Sequence, residues 1–157
     1  MARHLGRQLA GTTFDVCVHT RFERTRRTAE LALDGRAVPL IEEPGLDDVD
    51  VGELEGDTIA AYHAWKDVHT RADRFPGGES LDETARRYVT ALRRVLGLPH
   101  DWVLVICHEL PIRYALNALV GSDDPDGPFR AIPNATPFLF DAPMLAAAVD
   151  RIEQLAD

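Results

Sequence analysis

Three short stretches of this chain hold side chains able to do chemistry. In Ile106-Cys107-His108-Glu109-Leu110-Pro111-Ile112-Arg113, a histidine directly follows an apolar run and directly precedes a helical pattern. There an imidazole can reach a phosphoryl oxygen and, when protonated, stabilise developing negative charge. The plainer reading is a hydrogen-bonded structural histidine. A zinc site of the His-Glu-x-x-His type needs a second histidine at position 112, which is Ile112, so no metal is expected. In Thr20-Arg21-Phe22-Glu23-Arg24-Thr25-Arg26-Arg27-Thr28-Ala29, a helix starts straight after an apolar segment. A helix N-terminus offers free N–H groups and a positive dipole end, and an arginine in the first turn adds a forked grip on phosphate. A solvated basic helix face is the alternative. The third stretch, Leu46 to Gly56, is rich in carboxylates and can hold a general acid, or it is simply a solvated acidic loop. Its Asp and Gly spacing does not match a calcium-binding EF-hand loop.

These residues need elements to position them. Helical spacing is expected over Ala2–Ala10, Arg21–Leu33, Thr58–Thr70, Ser80–Leu96, Leu110–Val120 and Pro143–Leu155. The strongest of these is Ser80–Leu96, where Leu81, Ala85, Tyr88, Leu92 and Val95 share one face and Ser80 with Glu83 makes a capping-box pattern. Strands are expected at Phe14–Val18, Ala37–Leu40, Trp102–Cys107 and Thr136–Phe140. The continuous apolar run Trp102–Cys107 reads as a strand buried on both faces. Alternating strands and helices predict an α/β class with a doubly wound, mostly parallel sheet flanked by helices. In such sheets ligands sit beyond the carboxyl ends of the strands, where His108 and the Thr20–Arg24 stretch fall.

The length of 157 residues suits one domain, residues 1–157. The formal net charge of -9 argues against nucleic acid as a main partner, while leaving room for a small phosphorylated substrate gripped by a local cluster of cations. No apolar run approaches the ~20 residues needed to span a membrane, and the first residues lack a signal-peptide core, so a cytoplasmic location is expected. The two cysteines, Cys17 and Cys107, lie in apolar strand-like runs and read as buried free thiols.

Taken in order, the stretches resemble the histidine phosphatase superfamily, the phosphoglycerate-mutase-like fold. Thr20, Arg24, Thr28 and Ala29 match a hydroxyl–x3–Arg pattern followed by Thr-Ala. Leu46, Asp48, Gly52 and Gly56 match an acid loop ending in Gly-x-x-x-Gly. Pro76 to Ser80 matches a Pro-Gly-Gly-Glu-Ser turn opening a long helix, with Arg86 at a position where the family often has arginine. Val103 to His108, then Ile112 and Arg113, match the strand-His element, and Asn134-Ala135-Thr136 resembles the late turn. The resemblance implies a phosphomonoesterase or mutase working through a phosphohistidine, with no metal or organic cofactor. Arg24 then grips phosphate with Thr20 beside it, His108 steadies the transferring oxygens, and Asp48 protonates the leaving alkoxide. Substrate would be read through the variable segment Ala60 to Arg74.

The sequence also departs from the pattern. The family's nucleophile lies in an Arg-His-Gly motif ending its first strand, and this chain has none; Arg3-His4 is followed by Leu5 and falls within a helical pattern. Leu5-Gly6-Arg7-Gln8-Leu9-Ala10 instead resembles the helix that follows the motif. The first strand is therefore expected to be missing, leaving the domain N-terminally incomplete. Open sheet edges then predict marginal stability or a homo-oligomer. Asp48 stands where Glu is commoner. Glu109 stands where Gly is usual, putting a carboxylate near the pocket, where it either bears on substrate or caps its helix. Two readings follow: an ordinary phosphatase whose nucleophile lies outside this chain, or an inactive phosphate-binding pseudoenzyme that keeps Arg24 and His108.

Overall fold

β-Branched residues alternate with small ones in Val16-Cys17-Val18, and in a computed structural model describing residues 1–157 this run forms the central strand, β1 (Val16–His19), buried throughout. Its neighbours are β2 (Leu40–Glu42) and β3 (Val103–Ile106), in the order β2-β1-β3, and both pairings are parallel. The helices are α1 (Ala2–Gln8), α2 (Glu23–Ala32), α3 (Ile59–Lys66), α4 (Leu81–Leu96), α5 (Glu109–Leu119) and α6 (Ala142–Ala156). This is the expected α/β class, with a parallel sheet covered by helices.

Because side chains alternate across a strand, successive β1 residues serve different cores. Cys17 faces α1 and α2 among Leu5, Phe14, Ala29, Ala32 and Leu33. Val18 faces the larger core, where Tyr88 and Leu92 of α4, Leu110 and Tyr114 of α5, and Val149 and Ile152 of α6 pack together. The strongest helix of the sequence starts as its pattern predicts. Ser80 Oγ accepts from the Glu83 N–H at 3.1 Å, and the Glu83 carboxylate accepts from the Ser80 N–H at 2.8 Å.

Three expectations need correction. Thr136–Phe140 is not a strand: no neighbour pairs with it, Pro137 lacks a ladder donor, and the chain enters it through Ala135 at φ 55°. Consequently β3 is an edge strand. Val103, Leu104 and Val105 are half-buried rather than covered on both faces, and Trp102 beside them is 48% exposed. The second strand lies later than expected, at Leu40–Glu42, because its register on β1 pairs Leu40 with Cys17 and Glu42 with His19.

Replacing Ser80 with Ala removes one half of a reciprocal cap and leaves a helix N–H unpaired. A loss of about 1 kcal/mol is expected, read as a lower urea midpoint with an unchanged slope.

Candidate active site

The register of β1 on β3 pairs His19 with Ile106, so the residues that follow each strand emerge side by side. Thr20 follows one strand and His108 lies two residues past the other. His108 Nε2 sits 3.0 Å from Thr20 Oγ1, a contact between residues 88 positions apart. Both side chains are buried. Thr20 Oγ1 is also 2.8 Å from Thr25 Oγ1, whose hydroxyl donates to the Phe22 carbonyl at 2.8 Å.

On the other side of the ring, the Arg24 Nη2 group lies 3.0 Å from His108 Nδ1. A guanidinium has donors only, so Nδ1 accepts and the proton sits on Nε2, which donates to Thr20. The imidazole is thus neutral in this arrangement. Burial is the main force holding His108 below the ordinary imidazole range; Asp48 opposes that shift, while Arg24 adds to it. The Phe22 ring meets His108 edge-on, with centroids 4.9 Å apart, and the Arg24 guanidinium lies 4.1 Å from the Phe22 ring centre.

Asp48 closes the cluster. Its Oδ2 is 3.0 Å from Arg24 Nη2 and 3.5 Å from His108 Nδ1. The neighbouring Asp47 is buried and anchors the loop to the end of β1, taking Arg21 N–H at 2.9 Å and Arg21 Nε at 2.6 Å. Four of the sequence-predicted residues, Thr20, Arg24, Asp48 and His108, therefore converge. A groove of about 590 Å³ opens beside them, with Arg21, Phe22, Asp48, Glu79 and Arg87 in its walls.

Glu109 takes a different place. It lies in the first turn of α5 and pairs along that helix with Arg113 at 3.1 Å, its side chain 46% exposed. His4 is on the exposed side of α1, within 3.2 Å of Arg7. The next turn of α1 rests on Ala32, at the far end of α2 from Arg24. Cys107 precedes His108, but burial pushes its thiol up to about 12, as it does for Cys17, so neither supplies a thiolate at neutral pH.

A sequence profile of the histidine phosphatase superfamily (branch 1) matches residues 1–140. The chain belongs to the histidine phosphatase superfamily. It is similar to a 2,3-bisphosphoglycerate-dependent phosphoglycerate mutase of Methylobacterium radiotolerans, with 33% identity over 88% of this chain and 73% of that protein. It also resembles a probable phosphoglycerate mutase of Erwinia tasmaniensis, with 31% identity over 62% of this chain; the match spans about half (49%) of that protein's length. Among solved structures, a putative alpha-ribazole-5'-P phosphatase from Escherichia coli shares the fold at a TM-score of 0.66 and 23% identity, covering 80% of this chain and 66% of that one.

Within this superfamily framework the sequence reading missed one residue of the site. Arg86, the arginine it singled out, turns away and donates to the Ala156 carbonyl near the end of α6. Arg87, one position on, reaches the acid loop instead, donating to the carbonyls of Asp47 at 2.9 Å and Asp48 at 3.1 Å. Helical phase could have found it: at about 100° per residue, Arg87 falls nearer than Arg86 to the centre of the buried stripe of α4 that includes Leu81, Thr84, Tyr88, Ala91 and Val95.

Folding lowers the proton affinity of His108, so as pH falls the unfolded chain takes up that proton first. Stability is therefore full at pH 7 and declines below about pH 6.5. Urea unfolding at pH 7 and pH 5 should show this loss, and His108→Gln, which keeps a donor for Thr20, should show less of it. Equal losses in both proteins would count against a buried neutral imidazole.

Proposed function

We propose that this chain carries the phosphate-gripping part of a phosphomonoesterase site. Arg24 and His108 hold the phosphoryl oxygens, Thr20 orients the imidazole, and Asp48 delivers the proton to the leaving alkoxide. One observation carries this reading: a guanidinium, an imidazole and a carboxylate from three separate elements meet within 3.0–3.5 Å beyond the carboxyl ends of parallel strands. Asp48 Oδ2 occupies the place an anionic oxygen would take between Arg24 and His108. A phosphate monoester entering there breaks the Asp48–Arg24 pair. It also draws a proton onto His108 Nδ1, which can then donate to a phosphoryl oxygen.

In this reading the phosphoryl group passes from its ester oxygen to a histidine nitrogen. The P–O bond breaks as the N–P bond forms; Asp48, which takes a proton from solvent once its pair with Arg24 is broken, gives that proton to the departing oxygen, and water later cleaves the phosphohistidine. That nucleophile belongs to an Arg-His-Gly element, which these 157 residues do not contain. A second reading rests on a specific observation: the cluster holds one histidine, His108, while His19, at the end of β1, has its Nδ1 tied 2.8 Å from the Thr20 carbonyl. On that reading the chain binds phosphate and turns nothing over. A small phosphorylated substrate suits both readings. The two unpaired thiols fit a reducing, cytoplasmic setting. The unpaired edge of β3 supports self-association; a sharply and reversibly melting monomer in sedimentation would set that aside.

Titration with inorganic phosphate, followed by 31P resonance or calorimetry, tests the pocket. Arg24→Ala and His108→Ala should each weaken binding about tenfold or more. Asp48→Asn should strengthen it, because a competing carboxylate is gone. Unchanged affinity in both cation variants sinks the proposal. Aryl phosphate hydrolysis that disappears in the same variants favours a catalyst, whereas binding without hydrolysis favours the second reading.

A further inference from the structure

Asp48 lies in a stretch with no regular structure beyond single 3-10 turns at Pro44–Leu46 and Gly52–Leu54. Something must hold its carboxylate at hydrogen-bonding distance from Arg24. The side chain of Arg87, on the second turn of α4, extends beneath the loop and is only 27% exposed. Its Nη1 donates to the carbonyls of Gly45 at 3.0 Å and Asp47 at 2.9 Å, and its Nη2 donates to the carbonyl of Asp48 at 3.1 Å. Its Nε donates to Glu79 at 3.2 Å, and Nη2 also reaches the other Glu79 oxygen. All five guanidinium N–H groups are thereby used.

Glu79 completes the frame. Its carboxylate takes the Asp50 N–H at 3.0 Å, and its own N–H donates to the Asp50 carbonyl at 2.9 Å. The turn before α4 meets the loop backbone to backbone: a Cβ on Gly78 would stand 2.3 Å from the Asp50 carbonyl oxygen. Gly52 faces the same turn at φ 54°, where a Cβ would lie 2.2 Å from the Pro76 carbonyl oxygen. The backbone on both sides of Asp48 is therefore gripped, while its carboxylate alone projects to Arg24 and His108.

We propose that Arg87 is a positioning residue: with Glu79 it fixes the backbone of the acid loop so that the Asp48 carboxylate is aimed between Arg24 and His108. This rests on the proposed role of Asp48 for its functional meaning, but its geometry is testable without turnover. An arginine is required rather than a lysine, because a single ammonium group cannot span three carbonyls and both oxygens of a carboxylate.

The probe is the imidazole of His108 in the isotope-labelled full chain, titrated by NMR. The groups facing that ring are Arg24 from α2, Asp47 and Asp48 from the loop, and Arg87 from α4, with the Thr20 hydroxyl and the Phe22 ring beside them. Asp48 favours the protonated ring and Arg87 disfavours it, so neutralising Arg87 would mix a charge effect with a positional one. Arg87→Lys keeps the charge and removes the fork. Arg87→Lys should weaken proton binding by His108 about threefold or more, close to the effect of Asp48→Asn. The double variant should show no further shift, since both act through one carboxylate. Gly78→Ala alters no charge and pushes directly on the loop at Asp50. It should move the titration the same way and serves where Arg87→Lys does not fold. An unchanged His108 titration in the charge-conserving variant, or a fully additive shift in the double variant, overturns the proposal. Because phosphate binding by Arg24 and His108 is measured separately, that outcome leaves the functional reading standing or falling by itself.

Discussion

The site depends on the parallel pairing of β1 with β3. Parallel strands end on the same side of a sheet, and the register sets Val18 against Val105 and His19 against Ile106. Thr20 and His108 must then leave the sheet together, and the hydrogen bond between them follows from that register. Shifting the pairing by one residue would turn every β3 side chain to the opposite face and carry His108 away from Thr20. The two cores hold the register. Cys17 and Ile106 share the α1–α2 side, while Val18 is packed with Tyr88 and Tyr114 on the other.

Helix α2 is placed by the same pairing. It begins three residues after β1 ends, so its first turn, with Arg24, lies over the strand ends rather than beside the sheet. Its buried face is made of small residues, Thr25, Ala29 and Ala32, which bring the helix close to β1 and Ile106. Thr25 has a second role: its hydroxyl links Thr20 to the Phe22 carbonyl at the helix entry. Strand end, helix start and His108 tautomer thus form one hydrogen-bonded chain.

Much of this was legible in the sequence because it depends on local signals. The apolar runs of β1 and β3, the capping box at Ser80 and the helical stripe of α4 each encode their own element, and element order then places Thr20, Arg24 and His108 at strand ends. Asp48 was legible only as one carboxylate among many; its selection depends on Arg24, a residue 24 positions away. Arg87 was missed for a related reason. A half-buried arginine at the edge of an apolar helix face looks like its exposed neighbour Arg86 until the partner carbonyls are known. The strand expected at Thr136–Phe140 failed differently. Its apolar residues Phe138 to Phe140 suit a strand, but Pro137 withholds a ladder donor and the chain enters through Ala135 at φ 55°, so the stretch pairs with no strand.

Charge pairing within the site shapes what it can accept. Arg24 is matched by Asp48, Arg21 by Asp47 and Arg87 by Glu79, so the cations around His108 begin neutralised in a chain of net charge -9. On the proposed reading, an incoming anion gains little from long-range attraction and must win by displacing a carboxylate. A carboxylate offers two oxygens and one negative charge. A phosphate monoester brings up to two charges and three unesterified oxygens, enough to engage Arg24 and His108 together. A phosphodiester, with one charge and two free oxygens, has no such advantage over Asp48. Of the three pairs, Asp48–Arg24 is the one suited to exchange: Asp47 is buried and bonded twice to Arg21, and Glu79 is locked into the frame around Arg87. In the proposed function, the pocket therefore opens at one carboxylate, and that carboxylate is then free to act as the acid.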